Sequence, residues 1–239
     1  MILNALKKYR LPDEPGVYIF KKGKRILYIG KAASLSDRVR SYFATDLAEG
    51  RGGRIVGMVR DATSLSWQKT DSVLEALILE ANLIKRFQPP YNVDQKDNKS
   101  WNYVIITKED FPRVLLVRGR ELFQNYGFRK SLNINGLRNH YIFGPFPHGG
   151  QLKEAIKMVR RIFPFRDTCT PYHMSRTVLD MQAPCFNRQI GLCPGVCSGE
   201  MIQKEYAHTV RNIAELFSGK MGQLRRRLER EMKLAARSE

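Results

Sequence analysis

The sequence predicts an α+β fold, in which a small α/β domain with a short mixed sheet precedes a connector and a small helical region. Three observations point to this class. Two strand-like runs face each other within residues 16–30, a strongly capped helix spans residues 72–87, and four cysteines are confined to residues 169–197, after which helical patterns resume. At 239 residues, the chain is long enough for one large or two small domains.

The first element is a β-hairpin within residues 16–30, where β-branched and aromatic runs flank a polar link centred on Gly23. A hairpin symmetric about Gly23 places Tyr18 directly opposite Tyr28, on the same face of the sheet. Lys31 follows one residue after the second strand. Two converging phenols beside a lysine suggest chemistry on a phosphate, although cross-strand aromatic pairs also stabilise hairpins by ordinary packing.

A helix over residues 34–43 follows, with Ser34 as its N-cap and apolar residues at every fourth position. Arg38 and Tyr42 are four residues apart, so they are neighbours on the helix surface. Arg38 can fork onto a phosphate, while the alternative is an ordinary solvated helix face. Next we expect a polar, Gly-rich loop over residues 44–54. A weaker element over residues 55–69 then ends in a strand near Leu65–Gln68.

The helix over residues 72–87 carries two carboxylates that are not equivalent. Ser72 and Glu75 fit a capping box, and Pro89-Pro90 ends the helix. Glu80 has apolar neighbours three and four residues away on both sides, which places it in the middle of the apolar face. An unpaired buried carboxylate is costly. We therefore expect Glu80 to have a partner, either an arginine in a structural ion pair or a divalent cation.

Composition and turn signals indicate a domain boundary near residues 95–100. We expect an α/β domain over residues 1–97, a β-rich connector over residues 98–150 and a cysteine-cluster helical region over residues 151–239. The elements expected after the boundary are strands at 102–107 and 113–118, an irregular stretch at 119–139, a loop at 144–150 and helices at 151–162, 200–217 and 220–237.

The charge of the chain indicates a polyanionic partner. It carries 41 Lys and Arg against 23 Asp and Glu, a net charge of +18 at pH 7. Nucleic acid is the favoured partner, because Lys and Arg that contact phosphates release condensed counterions. An anionic membrane surface is the alternative, but no basic amphipathic helix with exposed aromatic residues stands out.

Two absences in the sequence favour a cytoplasmic protein. No apolar run approaches the roughly 18 residues that are needed to cross a membrane. The N-terminal segment Met1–Lys8 lacks the layout of a signal peptide, since its charges follow a very short apolar stretch.

The four cysteines are spaced Cys169-x15-Cys185-x7-Cys193-x3-Cys197. In a cytosolic compartment, clustered thiols usually bind a metal or carry out redox chemistry. Only the last pair has the short spacing that is usual for a zinc knuckle, and four thiolates bind either zinc or an iron–sulfur cluster. His173 can replace one thiolate in a site with three cysteines. The spacing by itself leaves these alternatives open.

The residues that carry chemistry form an ordered set that resembles the GIY-YIG nuclease family. The set comprises Gly16-Val17-Tyr18 and Tyr28-Ile29-Gly30, then Lys31, Arg38, Tyr42, Glu80 and Asn92. Longer stretches are similar to the N-terminal half of proteins of the UvrC family. Members of this family are the incision subunit of bacterial nucleotide excision repair. These stretches are Leu11–Tyr18, Tyr28–Ala32, Arg38–Phe43, Glu75–Lys85, Phe111–Arg113, Phe143–Pro147 and Cys185–Cys193.

The resemblance implies a metal-dependent endonuclease that hydrolyses a phosphodiester bond in damaged DNA. Glu80 would hold a single catalytic Mg²⁺ or Mn²⁺. Tyr28, aided by Lys31, would activate or position the attacking water, with Tyr18 hydrogen-bonded nearby. A free tyrosine has a pKa near 10, so this role requires a neighbouring cation that lowers it.

The resemblance also implies roles for the remaining site residues. Arg38 would stabilise charge on the phosphate, while Tyr42 and Asn92 would orient the site. This division of labour agrees with the needs of the reaction, which are an oriented water, a Lewis acid and a cationic clamp. For Cys169, Cys185, Cys193 and Cys197, the resemblance implies a [4Fe–4S] cluster, and zinc is the alternative.

Members of the UvrC family continue well beyond this length. They carry a helical motif that docks on UvrB, a second nuclease domain of the RNase H type and helix-hairpin-helix repeats. Leu228–Ala236 resembles only the beginning of the docking motif. We therefore expect at most the incision 3′ of a lesion. The expected partners are damaged double-stranded DNA and the UvrB–DNA complex. The chain would be a short form similar to the stand-alone nuclease Cho, or a fragment of a split gene.

Two other interpretations belong to different classes. A non-catalytic module that binds DNA or a partner is one, and the intact set of site residues argues against it. A GIY-YIG nuclease of another pathway, such as restriction or homing, is the other. The matches to the repair family within residues 110–197 argue against that interpretation.

Overall fold

The computed structural model describes residues 10–43, 47–92, 101–125, 140–172 and 183–237. The expectations for the N-terminal segment, for residues 126–139 and for His173 fall outside the described residues. The chain forms two compact units, Met1–Asp97 and Asn98–Glu239. The predicted α+β class is confirmed, whereas the further boundary at residue 150 stays a prediction. No helix among the described residues is long and apolar enough to cross a membrane.

The first unit places a three-stranded sheet among helices. Its elements are β1 (Gly16–Lys22), β2 (Arg25–Ala32), α1 (Leu35–Arg40), a 3-10 helix (Ser41–Phe43), α2 (Leu47–Asp61), β3 (Ser64–Lys69) and α3 (Val73–Phe87). The strand order is β2-β1-β3, and both described pairs are antiparallel. The sheet is therefore antiparallel and not mixed as predicted.

The hairpin forms at the predicted place but with a different register. Tyr18 pairs with Gly30, and Phe20 pairs with Tyr28, so the predicted direct pairing of Tyr18 with Tyr28 is wrong. The register shifts after Phe20, where Leu27 is an extra residue in β2. A β-bulge of this kind sets two residues of one strand against one of the other. The symmetric turn assumed from the sequence was centred on Gly23 and contained no bulge. The actual two-residue turn, Gly23-Lys24, shifts the register by one residue, and the bulge shifts it by another.

The two faces of this sheet pack against different helices. Tyr18 and Phe20 belong to a buried cluster with residues of α1 and α2, while Val17 and Ile29 pack against Ile84 of α3. This division follows from the alternation of side chains along a strand. The bulge modifies it at one place, since Leu27 and Tyr28 contribute to the same cluster as Tyr18.

The segment predicted as a loop over residues 44–54 is partly helical. Helix α2 spans Leu47–Asp61 and is interrupted at Gly52, which has φ +76°. Glycine adopts this left-handed region without a steric cost. The Gly-rich composition therefore marks a kink within a helix, where the sequence suggested a loop.

Helix α3 begins and ends as its sequence indicates. The Ser72 hydroxyl accepts a hydrogen bond from the backbone N–H of Glu75 at 3.1 Å. The Glu75 carboxylate reaches back to the backbone N–H of Asp71 at 2.8 Å, one residue before the N-cap. The helix ends at Gln88, which is left-handed, directly before Pro89-Pro90.

The second unit has its own antiparallel sheet and a set of helices. Its described elements are β4 (Asn102–Thr107), β5 (Val114–Arg118), α4 (Gly119–Asn125), β6 (His140–Phe146), α5 (Gly149–Ile162), α6 (Phe186–Gln189), α7 (Gln203–Phe217) and α8 (Met221–Ala235). The strand order is β5-β4-β6. The paired strands β4 and β5 are confirmed, as are α7 and α8 with the predicted break at Ser218-Gly219.

Two local expectations for the second unit are wrong. The stretch over residues 119–139 begins with a helix, α4, and is not irregular from its start. The loop over residues 144–150 is shorter than expected, because β6 continues to Phe146 and α5 begins at Gly149. The first prediction rested on Asn and Gly signals and the second on Gly and Pro, and in both places regular structure forms in spite of them.

Candidate functional site

Three tyrosines from three elements of the first unit meet on one face of the sheet. Tyr18 comes from β1, Tyr28 from β2 and Tyr42 from the 3-10 helix. Their ring centroids are 5.7 Å (Tyr18 and Tyr42), 6.2 Å (Tyr18 and Tyr28) and 6.3 Å (Tyr28 and Tyr42) apart. The Tyr18 and Tyr42 hydroxyls are 2.7 Å apart in a buried hydrogen bond, and the Tyr28 side chain also hydrogen-bonds Tyr42. The convergence of phenols is therefore confirmed, with Tyr42 as a third member.

Gly30 makes this arrangement sterically possible. It lies opposite Tyr18 in the register, and a Cβ atom at residue 30 would overlap the hydroxyl and ring carbons of Tyr18. Sequence analysis quoted Gly30 only as part of a motif and gave it no role in the site. The available signal was a glycine inside a strand, which often marks a close approach of another group.

Arg38 lies at the edge of the tyrosine cluster, one helical turn before Tyr42. Its Nε donates to the Tyr18 hydroxyl at 3.3 Å, and its Cζ is 5.7 Å from the centroid of the Tyr42 ring. The residue as a whole is exposed. The guanidinium is thus anchored on one side by the tyrosines and accessible to a ligand on the other. An arginine held in this way is suited to bidentate binding of a phosphate.

Burial raises the pKa of the two strand tyrosines. It raises the pKa of Tyr18 well above the ordinary value, and the neighbouring Tyr28 and Tyr42 raise it further. Burial likewise raises the pKa of Tyr28, with Tyr42 adding to the effect. A free tyrosine is already protonated at neutral pH, and the raised pKa values make both phenols harder still to ionise. A protonated phenol donates a hydrogen bond and orients a neighbouring group, whereas it does not accept a proton as a base.

Glu80 is buried beside this cluster, as its place on the apolar face of α3 predicts. Only 2% of the residue is exposed. Its Oε1 accepts a hydrogen bond from the backbone N–H of Lys31 at 3.0 Å. Burial raises the pKa of Glu80 to about 7, although the charges of Lys31 and Arg38 oppose this effect. The expected partner is therefore a backbone amide, and no arginine ion pair to Glu80 is found among the described residues.

The surroundings of the second carboxylate oxygen of Glu80 indicate whether this residue could bind a metal ion. Oε2 is buried and has no hydrogen-bond partner within the described part of the chain. An unsatisfied buried carboxylate oxygen is costly. Mg²⁺ and Mn²⁺ prefer oxygen ligands, and Mg²⁺ is commonly held by one or two carboxylates together with waters and substrate phosphates. Glu80 therefore fits the role of a ligand to such an ion.

Lys31 and Asn92 also border the site. Lys31 belongs to β2, and Asn92 is bonded to the backbone of that strand. Burial lowers the pKa of the Lys31 ammonium, with the Glu80 carboxylate acting in the opposite direction. The Asn92 side chain accepts a hydrogen bond from the backbone N–H of Ile29 and donates one to its carbonyl, each at 2.6 Å. The structure thus places Asn92 against the backbone between Tyr28 and Gly30, where it supports the strand.

The second unit brings three of the four cysteines together. The sulfur atoms of Cys169, Cys185 and Cys197 all lie within 4.8 Å of one another. Cys193 is buried nearby but lies outside this group of three. The predicted cluster is thus assembled for three cysteines and only approached by the fourth. Four thiolates suit zinc or an iron–sulfur cluster, and the described arrangement is compatible with both.

Backbone amides support two of the sulfur atoms. The amides of Asn187 and Arg188 hydrogen-bond the sulfur of Cys185, and those of Gly195 and Val196 hydrogen-bond the sulfur of Cys193. Burial alone would raise the pKa of Cys185, but these bonds and its thiol neighbours lower it overall. Amide donors that stabilise thiolates suit a metal site, since metals bind the thiolate and not the thiol.

The pKa of Cys169 is raised, whereas that of Cys185 is lowered. Burial and then the neighbouring thiols, with Cys193 first among them, raise the pKa of Cys169 to about 12. Gathering several thiolates in one place is unfavourable unless a cation compensates their charge. The donor set therefore fits a bound metal group better than four free thiols.

A buried arginine holds the segment that carries Cys169. Arg166 is 5% exposed. Its Nε donates to the carbonyl of Cys169 at 2.5 Å, and its Nη1 lies 3.0 Å from Glu109 Oε2. Nη1 also donates to the carbonyl of Phe111. The guanidinium thereby ties the cysteine segment to the loop between β4 and β5, a link that sequence analysis did not find.

Comparison with family models gives two matches that do not overlap. Residues 14–93 match the UvrC-like GIY-YIG domain. Residues 101–216 match the middle domain of the UvrC/Cho excinucleases. Between them, the two matches leave out only the chain ends and a short stretch near the boundary of the two units.

Full-length relatives match over nearly the whole of this chain. The UvrABC system protein C of Parasynechococcus marenigrum is 39% identical over 226 residues, which are 93% of this chain and 31% of that protein. The protein of the same name from Carboxydothermus hydrogenoformans is 38% identical over 231 residues, or 96% of this chain and 34% of that protein. The chain thus spans about a third of the length of these relatives.

Among solved structures, the chain is similar to the GIY-YIG N-terminal endonuclease domain of UvrC from Thermotoga maritima, a structure with magnesium bound as the catalytic divalent cation. The two are 41% identical over 39% of this chain and 100% of that one, with a TM-score of 0.35.

Proposed function

The chain belongs to the UvrC family, with its GIY-YIG domain followed by its middle domain, and we propose that it is a metal-dependent DNA endonuclease of nucleotide excision repair. The reaction is hydrolysis of a phosphodiester bond on the 3′ side of a lesion in double-stranded DNA. The observation that carries the proposal is the buried Glu80 carboxylate. It has one oxygen on the Lys31 amide and the other without a partner among the described residues, beside three tyrosines and Arg38.

The protein groups around Glu80 have distinct roles in this proposal. Glu80 holds the Mg²⁺ or Mn²⁺ ion through Oε2, and the bound ion supplies Lewis-acid stabilisation of the phosphate charge. Arg38 binds a non-bridging phosphate oxygen and opposes the charge that develops there. Its bond to Tyr18 fixes the direction of the guanidinium, so the clamp is preorganised before the substrate arrives.

The tyrosines orient the attacking water and the arginine. In this proposal, the Tyr28 hydroxyl positions the attacking water by hydrogen bonding. Tyr42 connects Tyr28 to Tyr18 through its hydroxyl, which restricts all three phenols. Asn92 acts indirectly, since it holds the backbone next to Tyr28. Lys31 places a positive charge beside Glu80.

A nicking assay tests this function. The substrate is a duplex with one defined bulky lesion, incubated with the full chain, Mg²⁺ and the partners that load UvrC proteins. We expect one nick 3′ of the lesion. Glu80→Gln keeps the size of the side chain but removes its charge, and we expect it to reduce nicking by at least about 100-fold.

Glu75→Gln is the matched control on the same helix. Its carboxylate is a helix cap, and the amide retains an oxygen that accepts from Asp71. It should nick like wild type, and circular dichroism should show that both variants remain folded. Equal nicking by Glu80→Gln and wild type would remove Glu80 from the reaction. DNA binding without any nick, even by wild type, would favour the binding-module alternative.

We further propose that Cys169, Cys185, Cys193 and Cys197 hold a [4Fe–4S] cluster, with zinc as the alternative. The three sulfur atoms within 4.8 Å and the amide donors to Cys185 and Cys193 support a metal group at this place. Purification without oxygen, followed by metal and sulfide analysis, decides between the two. Iron with an equal amount of acid-labile sulfide supports the cluster, whereas one zinc without sulfide overturns it.

The proposal for partners is damaged duplex DNA together with UvrB. Leu228–Ala236, at the end of helix α8, is the segment that resembles the start of the UvrB-docking motif, and Met232 and Leu234 are exposed there. Capture of purified UvrB by the wild-type chain, lost in Met232→Glu with Leu234→Glu, would support this contact. Equal capture by both proteins would place the contact elsewhere.

A further inference from the structure

A surface pocket in the first unit is not used by the proposed cleavage site. Its volume is about 390 Å³. It lies where the β1–β2 hairpin, helix α2 and the turn after α3 come together. The lining residues are Lys22, Arg25, Leu27, Arg54, Asp61, Pro90 and Tyr91.

The charge of this pocket is predominantly positive. Its lining includes three basic side chains and one carboxylate, that of Asp61. Lys22 and Arg25 face each other as the last pair of the hairpin, and both are exposed. No ion pair is found for either of them within the described part of the chain. Two exposed cations held together by strand pairing repel each other, so an anionic ligand would stabilise them.

The back of the pocket is fixed by hydrogen bonds. Arg54 Nη2 donates to the carbonyl of Pro90 at 2.8 Å, which directs the guanidinium toward the turn. The Tyr91 hydroxyl donates to Asp61 at 2.9 Å, and its backbone N–H donates to the Leu27 carbonyl at 3.0 Å. The Asp61 carboxylate is thus already engaged by a neutral donor. These bonds fix one part of the pocket lining, and two of its cations, Lys22 and Arg25, are exposed.

The pocket lies next to the tyrosine cluster. Leu27 lines the pocket and also packs in the buried cluster that contains Tyr18 and Tyr42. Arg25 precedes Tyr28 by three residues on the same strand, which is roughly 10 Å at the usual rise per residue. Duplex DNA carries one phosphate charge per about 1.7 Å of its axis. A duplex whose scissile phosphate lies at the tyrosines therefore has further phosphates within reach of Arg25.

We propose that this pocket is a second phosphate-binding site, which takes a backbone phosphate of the duplex close to the scissile one. Lys22 and Arg25 provide the ionic contacts, and Arg54 adds a third positive charge to the lining. The inference rests on the proposed function in one respect, since it takes the tyrosine cluster as the place of cleavage. The site positions the backbone and reads no base, as phosphate contacts generally do.

Duplex affinity measured without cleavage tests the site. The full chain is titrated into a fluorescein-labelled undamaged duplex in EDTA, so no strand is cut, and the anisotropy is recorded at several salt concentrations. We expect Lys22→Ala with Arg25→Ala to weaken binding by about tenfold and to lower the slope of log affinity against log salt by about 2. Lys22→Arg with Arg25→Lys should keep both the affinity and the slope.

The matched control changes the same net charge outside the pocket. Arg40 and Arg86 are exposed, and neither lines the recess. Arg40→Ala with Arg86→Ala should weaken binding by less than about threefold if the pocket makes specific contacts. An equal loss in the two double variants, or no loss in either, would overturn the proposal, because only total charge would then matter.

A small phosphate offers the same chemistry as a backbone phosphate, and a second titration separates them. Inorganic phosphate is added while the amide NMR signals of Gly23 and Leu27 are followed. Saturable shifts at low concentration, together with unchanged duplex affinity in Lys22→Ala with Arg25→Ala, would identify a site for small phosphates and overturn the DNA assignment. A nicking assay that fails, with the duplex difference intact, would reject the nuclease function and still support this site.

Discussion

At the scale of single residues, the size of Gly30 decides the geometry of the candidate active site. The ring of Tyr18 occupies the space that any larger side chain at residue 30 would need. Tyr18 in turn accepts from Arg38 and bonds Tyr42. A change at one glycine is therefore transmitted to the arginine that we place on the phosphate.

We predict that Gly30→Ala destabilises the first unit by about 1–3 kcal/mol, because the added methyl group overpacks against Tyr18. Nicking should fall as well, since the hydroxyl of Tyr18 is displaced from Arg38. Thermal unfolding and the nicking assay measure the two effects. Gly53→Ala is the control, because a Cβ there meets nothing within 4 Å. The interpretation fails if both variants unfold at the wild-type temperature.

For Glu80, the residue pattern predicts burial but not the hydrogen-bond partner. Its place on the apolar face of α3 was evident from the spacing of the neighbouring residues, and its burial is confirmed. The identity of its partner was not evident, because the Lys31 backbone amide is 49 residues away in the chain. No local pattern encodes a contact of that range.

At the scale of secondary-structure elements, β2 is an edge strand whose outer side is covered by the turn after α3. Asn92 satisfies both backbone groups of Ile29, and the Tyr91 amide satisfies the carbonyl of Leu27. Edge strands expose unpaired backbone groups that have to be protected. This cover keeps the strand that carries Tyr28 in place.

We predict that Asn92→Ala loosens this strand without unfolding the first unit. The amide of Ile29 should exchange its hydrogen roughly five- to tenfold faster, which corresponds to the loss of about 1 kcal/mol per hydrogen bond. Hydrogen exchange followed by NMR measures the rate, with the amide of Ile19 in the centre of the sheet as the internal reference. Unchanged exchange at Ile29 would show that Asn92 has no such supporting role.

In the second unit, the loop between β4 and β5 is likewise held in place by side-chain hydrogen bonds. Glu109 accepts from Thr107, Arg113 and the buried Arg166. Burial alone would raise the pKa of Glu109, but these hydrogen bonds outweigh it and lower the pKa overall. The ionised carboxylate therefore stabilises the folded state above the pKa of the unfolded chain. That contribution is lost as the pH falls through the lowered, folded-state value.

We predict that Glu109→Gln lowers the free energy of unfolding by about 1–3 kcal/mol at pH 7, because Arg166 loses its ionised partner. The difference from wild type should shrink as the pH falls below about 4, where the wild-type carboxyl also becomes protonated. Urea unfolding over a pH series measures it. Glu205→Gln, an exposed change on α7, should show no comparable pH dependence. A constant difference across the series would contradict the assignment.

At the scale of the whole molecule, the two units carry two different kinds of candidate metal site. In the first, one buried carboxylate reaches the proposed ion, and the fold around it is held by apolar clusters. In the second, three cysteines from one stretch of the chain, residues 169–197, bring their sulfur atoms within 4.8 Å of one another. Binding of a metal by ligands that only the folded chain brings together contributes directly to the folding free energy.

We predict that removal of metal affects the two units differently. Brief treatment with EDTA should abolish nicking while leaving the unfolding of the first unit almost unchanged. Extraction of the cysteine-bound metal should destabilise the second unit strongly, as for other structural thiolate sites. Calorimetry with nicking assays before and after metal return tests both statements. The distinction is wrong if EDTA unfolds the first unit or if extraction leaves the second unit intact.

Sequence by itself determined most of the local structure and the membership of the site. Capping residues located helices α1 and α3, the β-branched runs located β1, β2, β4 and β5, and Ser218-Gly219 located the break between α7 and α8. The net charge of +18 indicated a polyanionic partner. These features depend on the chemistry of residues close in the chain, which is why a pattern suffices to predict them.

Only the tertiary structure decided how the site residues meet. The two-residue turn Gly23-Lys24 and the bulge at Leu27 each shift the register by one residue, so Tyr28 lies opposite Phe20 and Gly30 opposite Tyr18. The Glu80 oxygen that has no partner among the described residues, and the link from Arg166 to Glu109, likewise depend on segments that are distant in sequence. Register and long-range contacts follow from how whole elements pack together, and the same local sequence is compatible with several such arrangements.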